Sequence, residues 1–203
     1  YLTYLTVPIH YLTLLYTAYV IGTQSLEWYS VLGLALSVGV VNGLAINTGH
    51  ELGHKTTTSE RWLAKTVLAV VGYGHFFIEH NKGHHKDVAT PEDPASSRMG
   101  ESIYAFACRE IPGALRRAWE SEKTRLARCG SGPWTLKNEV LQPLLITIPL
   151  YAALMFAFFW FMLPFLFIQS CWGWFGILSS ANYIEHYGLL RQKLASGRYE
   201  PCQ

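Results

Sequence analysis

Apolar residues in this chain gather into long runs separated by short polar stretches. Four runs approach the roughly 20 residues that a helix needs to cross a hydrocarbon core. They cover about 7–22, 29–46, 141–162 and 164–184. The last two form one stretch divided at Leu163-Pro164, where proline interrupts the helical hydrogen bonds. A fifth run, Leu63 to Ile78, is shorter and contains Lys65, Gly72, Gly74 and His75. From Met99 to Lys137 charged and apolar residues alternate around Trp119, a pattern that suits amphipathic helices at a membrane surface. No internal repeat or low-complexity tract interrupts the pattern. The predicted fold class is all-α: a polytopic membrane helix bundle of about four spans in two hairpins.

Charge fixes an orientation for these runs. All sixteen Lys and Arg residues lie outside the four spans, within Lys55–Lys65, Lys82–Lys137 and Arg191–Arg198. The turns at Thr23–Trp28 and near Leu163 hold none. Positive charge stays on the cytoplasmic side, so the two turns face outward, and the middle region and tail face the cytoplasm. Both flanks of Leu63–Ile78 are basic and rich in His. Were that run to cross, its flanks would lie on opposite sides, so it is expected to be a buried or re-entrant cytoplasmic-side segment. The expected domain is a single membrane catalytic unit over 1–203, with a helical, His-rich cytoplasmic region at about 47–139.

Composition agrees with a membrane protein. Half of the residues are hydrophobic and 15% are charged, against roughly 25% in soluble domains. The net charge of +2 gives no reason to expect a nucleic-acid partner. Cys108, Cys129, Cys171 and Cys202 have no metal-ligand spacing and read as reduced thiols. The opening Tyr1-Leu2-Thr3-Tyr4 shows neither an initiator Met nor a cleavable signal peptide, so the chain is expected to be incomplete at both ends.

Six of the eight histidines fall in three groups, each beside the cytoplasmic end of an apolar run. His50-Glu51-Leu52-Gly53-His54 puts two imidazoles four residues apart, on one helical face. In His80-Asn81-Lys82-Gly83-His84-His85, α-helical spacing puts His80 and His84 on one face and His85 one step round, toward a neighbouring ion. The third group is His186. Six rings brought together by topology indicate metal binding, since burying that many unpaired polar rings is costly. The His50-Glu51-x-x-His54 spacing alone also matches a zinc protease. Zinc needs only about three protein ligands and leaves the other histidines unexplained. A large all-nitrogen set with no cysteine suits two iron ions.

The runs Asn47-Thr48-Gly49-His50-Glu51-Leu52-Gly53-His54-Lys55, Glu79-His80-Asn81-Lys82-Gly83-His84-His85, Val88-Ala89-Thr90-Pro91-Glu92-Asp93-Pro94-Ala95-Ser96 and Asn182-Tyr183-Ile184-Glu185-His186-Tyr187-Gly188-Leu189 closely resemble the bacterial integral-membrane alkane monooxygenases. The two shorter His boxes are shared with the wider superfamily of membrane fatty-acid desaturases and hydroxylases. The resemblance implies two Fe ions held by His50, His54, His80, His84, His85 and His186. It implies O2-dependent terminal hydroxylation of n-alkanes to 1-alkanols, with electrons from rubredoxin and its reductase. It also implies a multi-pass place in the bacterial inner membrane, active site toward the cytoplasm. The family carries a further His-x-x-His-His box downstream of Gln203 and two spans before Tyr1, so this chain alone is expected not to hydroxylate. A fatty-acyl desaturase or hydroxylase and an intramembrane zinc protease are the alternatives, and a non-enzymatic membrane scaffold is a third.

Other residues carry narrower expectations. Glu51, Glu79 and Glu185 adjoin ligand histidines and are candidates to orient imidazole N–H groups, as is Asp93, which also sits in a rigid Pro91–Pro94 turn. His10 and His75 read as hydrogen-bonded interior residues, and Trp28 as an interface anchor. Trp172 and Trp174 face either substrate or neighbouring helices. Arg116, Arg117, Arg125 and Arg128 form a basic face that either docks an acidic partner or anchors to anionic lipid.

Overall fold

The computed structural model describes residues 2–201. Seven helical elements follow one another: α1 (Leu2–Thr23), α2 (Trp28–Gly53), α3 (Thr58–Ala69), α4 (residues 76–87), α5 (Ile103–Arg128), α6 (Leu144–Phe158) and α7 (Met162–His186). Among the described residues the only β pairing is an isolated bridge between Lys193 and Tyr199. The architecture is all-α, as the apolar runs require. Cys108, Cys129 and Cys171 are free thiols; Cys202 lies outside the described residues.

Helices α1, α2 and α7 have 22, 26 and 25 residues and are apolar enough to cross a membrane. Helix α2 loosens for one turn at Leu44 and then continues, so the span itself delivers His50. The remaining apolar helix differs from expectation. Helix α6 has 15 residues, a length of about 22 Å against a hydrocarbon core of about 30 Å. The break also comes earlier than Leu163-Pro164. Phe159 takes a φ of 63°, a left-handed conformation that ends α6. Pro164 instead sits in the first turn of α7, where its missing N–H costs no intrahelical bond.

The run Leu63–Ile78 is not a single helix. Helix α3 ends at Ala69, the chain turns through Gly72 at φ 67°, and α4 begins at Phe76. Val70, Val71 and Tyr73 in this turn are buried. Two carbonyls of the turn are capped from other helices: Val70 accepts from Gln169 Nε2 (3.1 Å), and Val71 from Trp174 Nε1 (2.7 Å). Trp174 thus packs between helices rather than lining open space, while Trp28 is largely exposed at the start of α2.

The helices that carry His50 and His186 pack through glycine. A Cβ on Gly43 would lie 2.9 Å from the Gly173 carbonyl, and one on Gly173 would lie 3.0 Å from the Gly39 carbonyl. Small residues are what allow apolar helices to approach this closely. A polar thread crosses the same bundle: His10 bonds Asn42 at 3.4 Å, Asn42 donates to Gln169 at 3.4 Å, and Asn42 and Gln169 are fully buried. His10 is therefore an interior, hydrogen-bonded residue. His75 is interior too, but its Nε2 has no hydrogen-bond partner.

Helix α5 is amphipathic, capped by Ser102, whose hydroxyl accepts from Ala105 N at 3.3 Å. Its buried stripe runs Phe106, Ala107, Glu110, Ala114, Ala118, Glu122 and Leu126. Two acidic residues therefore point inward, Glu122 toward Lys82 on α4 and Glu110 toward Asn182 on α7.

Candidate metal centre

The three histidine segments converge. One ring nitrogen from each of His50, His54, His80 and His85 lies within 4.8 Å of the others. The remaining two imidazoles make an adjoining pair, with the His84 and His186 ring centroids 4.8 Å apart. His80 links the two sets, stacking on His84 at 5.2 Å and meeting His85 edge-on at 4.4 Å.

This partition differs from α-helical spacing, which groups His80 with His84. Residues His80–His84 form a π turn, which adds a residue to the repeat and rotates the helix beyond it. His85 thereby joins His80 in the four-imidazole set, and His84 turns toward His186. Such single π turns recur at functional sites.

Hydrogen bonding sets the tautomers. His84 Nδ1 lies 2.8 Å from Asp93 Oδ2. An ionised carboxylate can only accept, so Nδ1 carries the proton and Nε2 is left with its lone pair. Burial opposes ionisation of Asp93, but His84, Ser96 and Arg117 more than compensate and hold its carboxyl well below the usual range. His186 Nδ1 lies 3.0 Å from the Asn182 carbonyl, which fixes the same tautomer there.

Among the other rings, nitrogen meets nitrogen. His50 Nε2 and His54 Nε2 face each other at 3.0 Å, and His80 Nε2 is buried with no partner. Burial, then the neighbouring imidazoles, drive His80 down to about 2 and lower His85 as well. A shared N–H can satisfy the His50–His54 pair, but His80 Nε2 is left with no partner and four ring nitrogens lie within 4.8 Å of one another, so the donor set fits a bound metal.

Of the four acids expected to orient ligands, Asp93 bonds an imidazole directly. Glu51 lies 3.5 Å from His50 Nδ1 and is mostly exposed. Glu79 is buried and pairs with Arg117 instead, while Glu185 is exposed and bonds no imidazole among the described residues.

The loop after Asp93 ties the second histidine segment to the third. Ser97 Oγ donates to the Tyr183 carbonyl at 2.7 Å, and Gly188 N donates back to the Ser97 carbonyl at 3.2 Å. Tyr183 OH donates to the Glu101 carbonyl at 2.6 Å, and Gly100 N donates to Tyr187 OH at 3.0 Å. The Pro91–Pro94 turn is thus both a rigid bend and the support for His84.

Sequence reasoning missed Glu110 and Asn182. Glu110 accepts from Asn182 Nδ2 across the α5–α7 contact, and burial raises its carboxyl to about 7. The available signal was its position on the apolar stripe of α5. Two of the four expected surface arginines also prove to be internal partners: Arg117 bonds Glu79 and Asp93, and Arg125 bonds Glu122 at 2.7 Å.

An apolar helix bundle with clustered imidazoles at one end of its long helices has the make-up of a membrane-type histidine metal site. The chain belongs to the fatty acid desaturase family, whose model matches residues 26–203. It is 66% identical over 199 residues to alkane 1-monooxygenase 1 of Alcanivorax borkumensis, covering 98% of this chain and 49% of that protein. It is 64% identical over 199 residues to alkane 1-monooxygenase of Pseudomonas putida, with the same coverage. Over 168 residues it is 30% identical to the xylene/toluene monooxygenase hydroxylase component XylM of Pseudomonas putida, covering 81% of this chain and 45% of that protein. The chain spans about half the length of the curated relatives it matches.

Proposed function

We propose that this chain forms the metal-binding core of an enzyme that hydroxylates n-alkanes at the terminal carbon to 1-alkanols, using O2. The observation that carries the reading is the four-imidazole set at the end of apolar helices. The identity to proteins named alkane 1-monooxygenase supplies the substrate class. His50, His54, His80 and His85, together with the adjoining His84 and His186, are the residues that would hold a pair of irons. When bound, the irons supply O2 activation and oxidation of a C–H bond. Zinc-protease chemistry is disfavoured, because four imidazoles crowd the place where that reading needs about three protein ligands and an open position, and it leaves His84 and His186 without a role.

The remaining work belongs to the protein's own residues. Asp93 and the Asn182 carbonyl hold Nδ1–H on His84 and His186, which aims both Nε2 lone pairs. Phe76, stacked on His80 at 4.9 Å, and the buried Tyr73 and Phe77 exclude water on the bundle side. An apolar substrate approaches from the bilayer, since 7–22, 29–46 and 164–184 contain no Lys, Arg, Asp or Glu. The enzyme sits in the bacterial inner membrane with its site toward the cytoplasm, a reading supported by the placement of all sixteen basic residues outside the apolar runs. Electrons arrive from rubredoxin and its reductase. The exposed Arg116 and Arg128 are the part of the expected basic face still free to meet an acidic donor, since Arg117 and Arg125 are engaged internally.

A fatty-acyl desaturase or hydroxylase is the second reading, favoured by the family model. Mass spectrometry of products from the full-length protein, given n-octane and a fatty-acyl substrate with O2 and reductant, separates the two. The first reading expects 1-octanol and no acyl product; desaturated or hydroxylated acyl chains with no alkanol contradict it.

A further inference from the structure

Arg117 lies on α5, away from every histidine in sequence, yet three contacts bring it against the second histidine segment. Its Nε donates to Glu79 Oε1 at 3.0 Å, and Nη2 reaches the same carboxylate. Nη2 also donates to Asp93 Oδ1 at 2.7 Å. Glu79 directly precedes His80, and the other oxygen of Asp93 holds His84. The guanidinium also lies over the π turn: a Cβ on Gly83 would meet Arg117 Nε at 2.5 Å. Both carboxylates are buried, Glu79 at 4% exposure and Asp93 at 1%.

The fork geometry matters here. A planar guanidinium bridges two carboxylates in fixed directions, whereas an ammonium is a point charge with freely rotating donors. Both ends of the π turn are thus tied to one rigid group, through Glu79 before it and Asp93 after it. The missing side chain at Gly83 makes room for that group. The turn in turn decides which imidazole joins which set.

We propose that Arg117 is a positioning residue of the metal site: it fixes the π turn His80–His84 and so the division of the imidazoles between the two sets. The proposal rests on the reading that these imidazoles bind metal. It concerns this chain's residues and is read without turnover.

The test uses the full-length protein loaded with cobalt(II) in place of iron, following cobalt affinity, the d–d absorption spectrum and thermal stability. Arg117→Gln is expected to lower cobalt affinity by about 10- to 100-fold, the range for partners of ligating groups, and to shift the spectrum. Arg117→Lys is expected to recover thermal stability through charge but not the wild-type spectrum. Gly83→Ala, which crowds the guanidinium while leaving it in place, is expected to shift the spectrum as Arg117→Gln does. Lys123→Gln, which removes an exposed ion pair on the same helix, is the control and leaves affinity and spectrum unchanged. A purely structural role predicts instead that Arg117→Lys restores stability and spectrum together, and that outcome overturns the proposal. So does a wild-type spectrum in Gly83→Ala, which decides the matter should Arg117→Gln fail to fold. Wild-type protein that binds no cobalt through nitrogen defeats the metal reading itself, a result separable from either of these.

Discussion

A carboxylate that can only accept a proton dictates the state of the ring it touches, and Asp93 does this for His84. It is buried at 1% exposure and takes hydrogen bonds from His84, Ser96, the Ala95 amide and Arg117. Asp93→Asn keeps the size but loses the charge and turns one acceptor into a donor. The His84 tautomer is then no longer imposed, and Arg117 loses an ionic partner. Iron affinity of the full-length protein should fall by about 10- to 100-fold, measured by competition with a chelator of known strength; unchanged affinity contradicts the role given to Asp93. The sequence made this residue visible as a candidate because two prolines flank it beside the second box. Arg117 was misplaced for a physical reason. An arginine reads as surface until its carboxylate partners, 24 and 38 residues away, are folded against it.

At the scale of elements, α4 and α5 are braced by an ionic network beneath the second histidine segment. Glu122 is fully buried on α5 and pairs with Arg125 on its own helix and with Lys82 inside the π turn at 3.2 Å. The Glu139 amide also donates to it at 2.9 Å. Burial works against the charge, but these partners win and depress its carboxyl from 4.5 to about 2. A carboxyl depressed on folding stabilises the folded state in full above its unfolded value, and loses that contribution as pH falls through the folded one. The brace should therefore weaken between about pH 4.5 and pH 2. Glu122→Gln should cost about 2 kcal/mol at neutral pH, the scale of a hydrogen-bonded charge, and should remove that part of the acid slope. Thermal unfolding in detergent across this window checks both; an unaltered slope contradicts the assignment. The elements themselves were largely legible from the apolar runs, because helix length and hydrophobicity are local properties. The π turn was not. α-Helical spacing pairs His80 with His84, and only the fold shows the extra residue that brings His85 round to His80.

At the scale of the whole molecule, the proposed sidedness of the bundle rests on the basic residues. The α1–α2 turn holds no Lys or Arg, whereas α3 to α5 hold most of them. In intact bacterial cells, Ser25→Cys in that turn should react with a membrane-impermeant maleimide. The native Cys108 and Cys129, both exposed on the surface of the fold, should react only after lysis. Labelling of Cys108 in intact cells reverses the orientation. The spans α2 and α7 meet through Gly39, Gly43 and Gly173, and their far ends carry His50 and His186. Close packing of two apolar helices is thus what brings sequence-distant imidazoles to one place.

The central claim is that imidazoles from three separate segments surround iron together. X-ray absorption at the iron edge of the full-length protein tests it directly, comparing wild type with His50→Ala, His84→Ala and His186→Ala. The account predicts a nitrogen-dominated first shell with imidazole scattering beyond it, diminished by each of the three substitutions. A sulfur-containing shell, or a wild-type imidazole signal retained in all three variants, would contradict it.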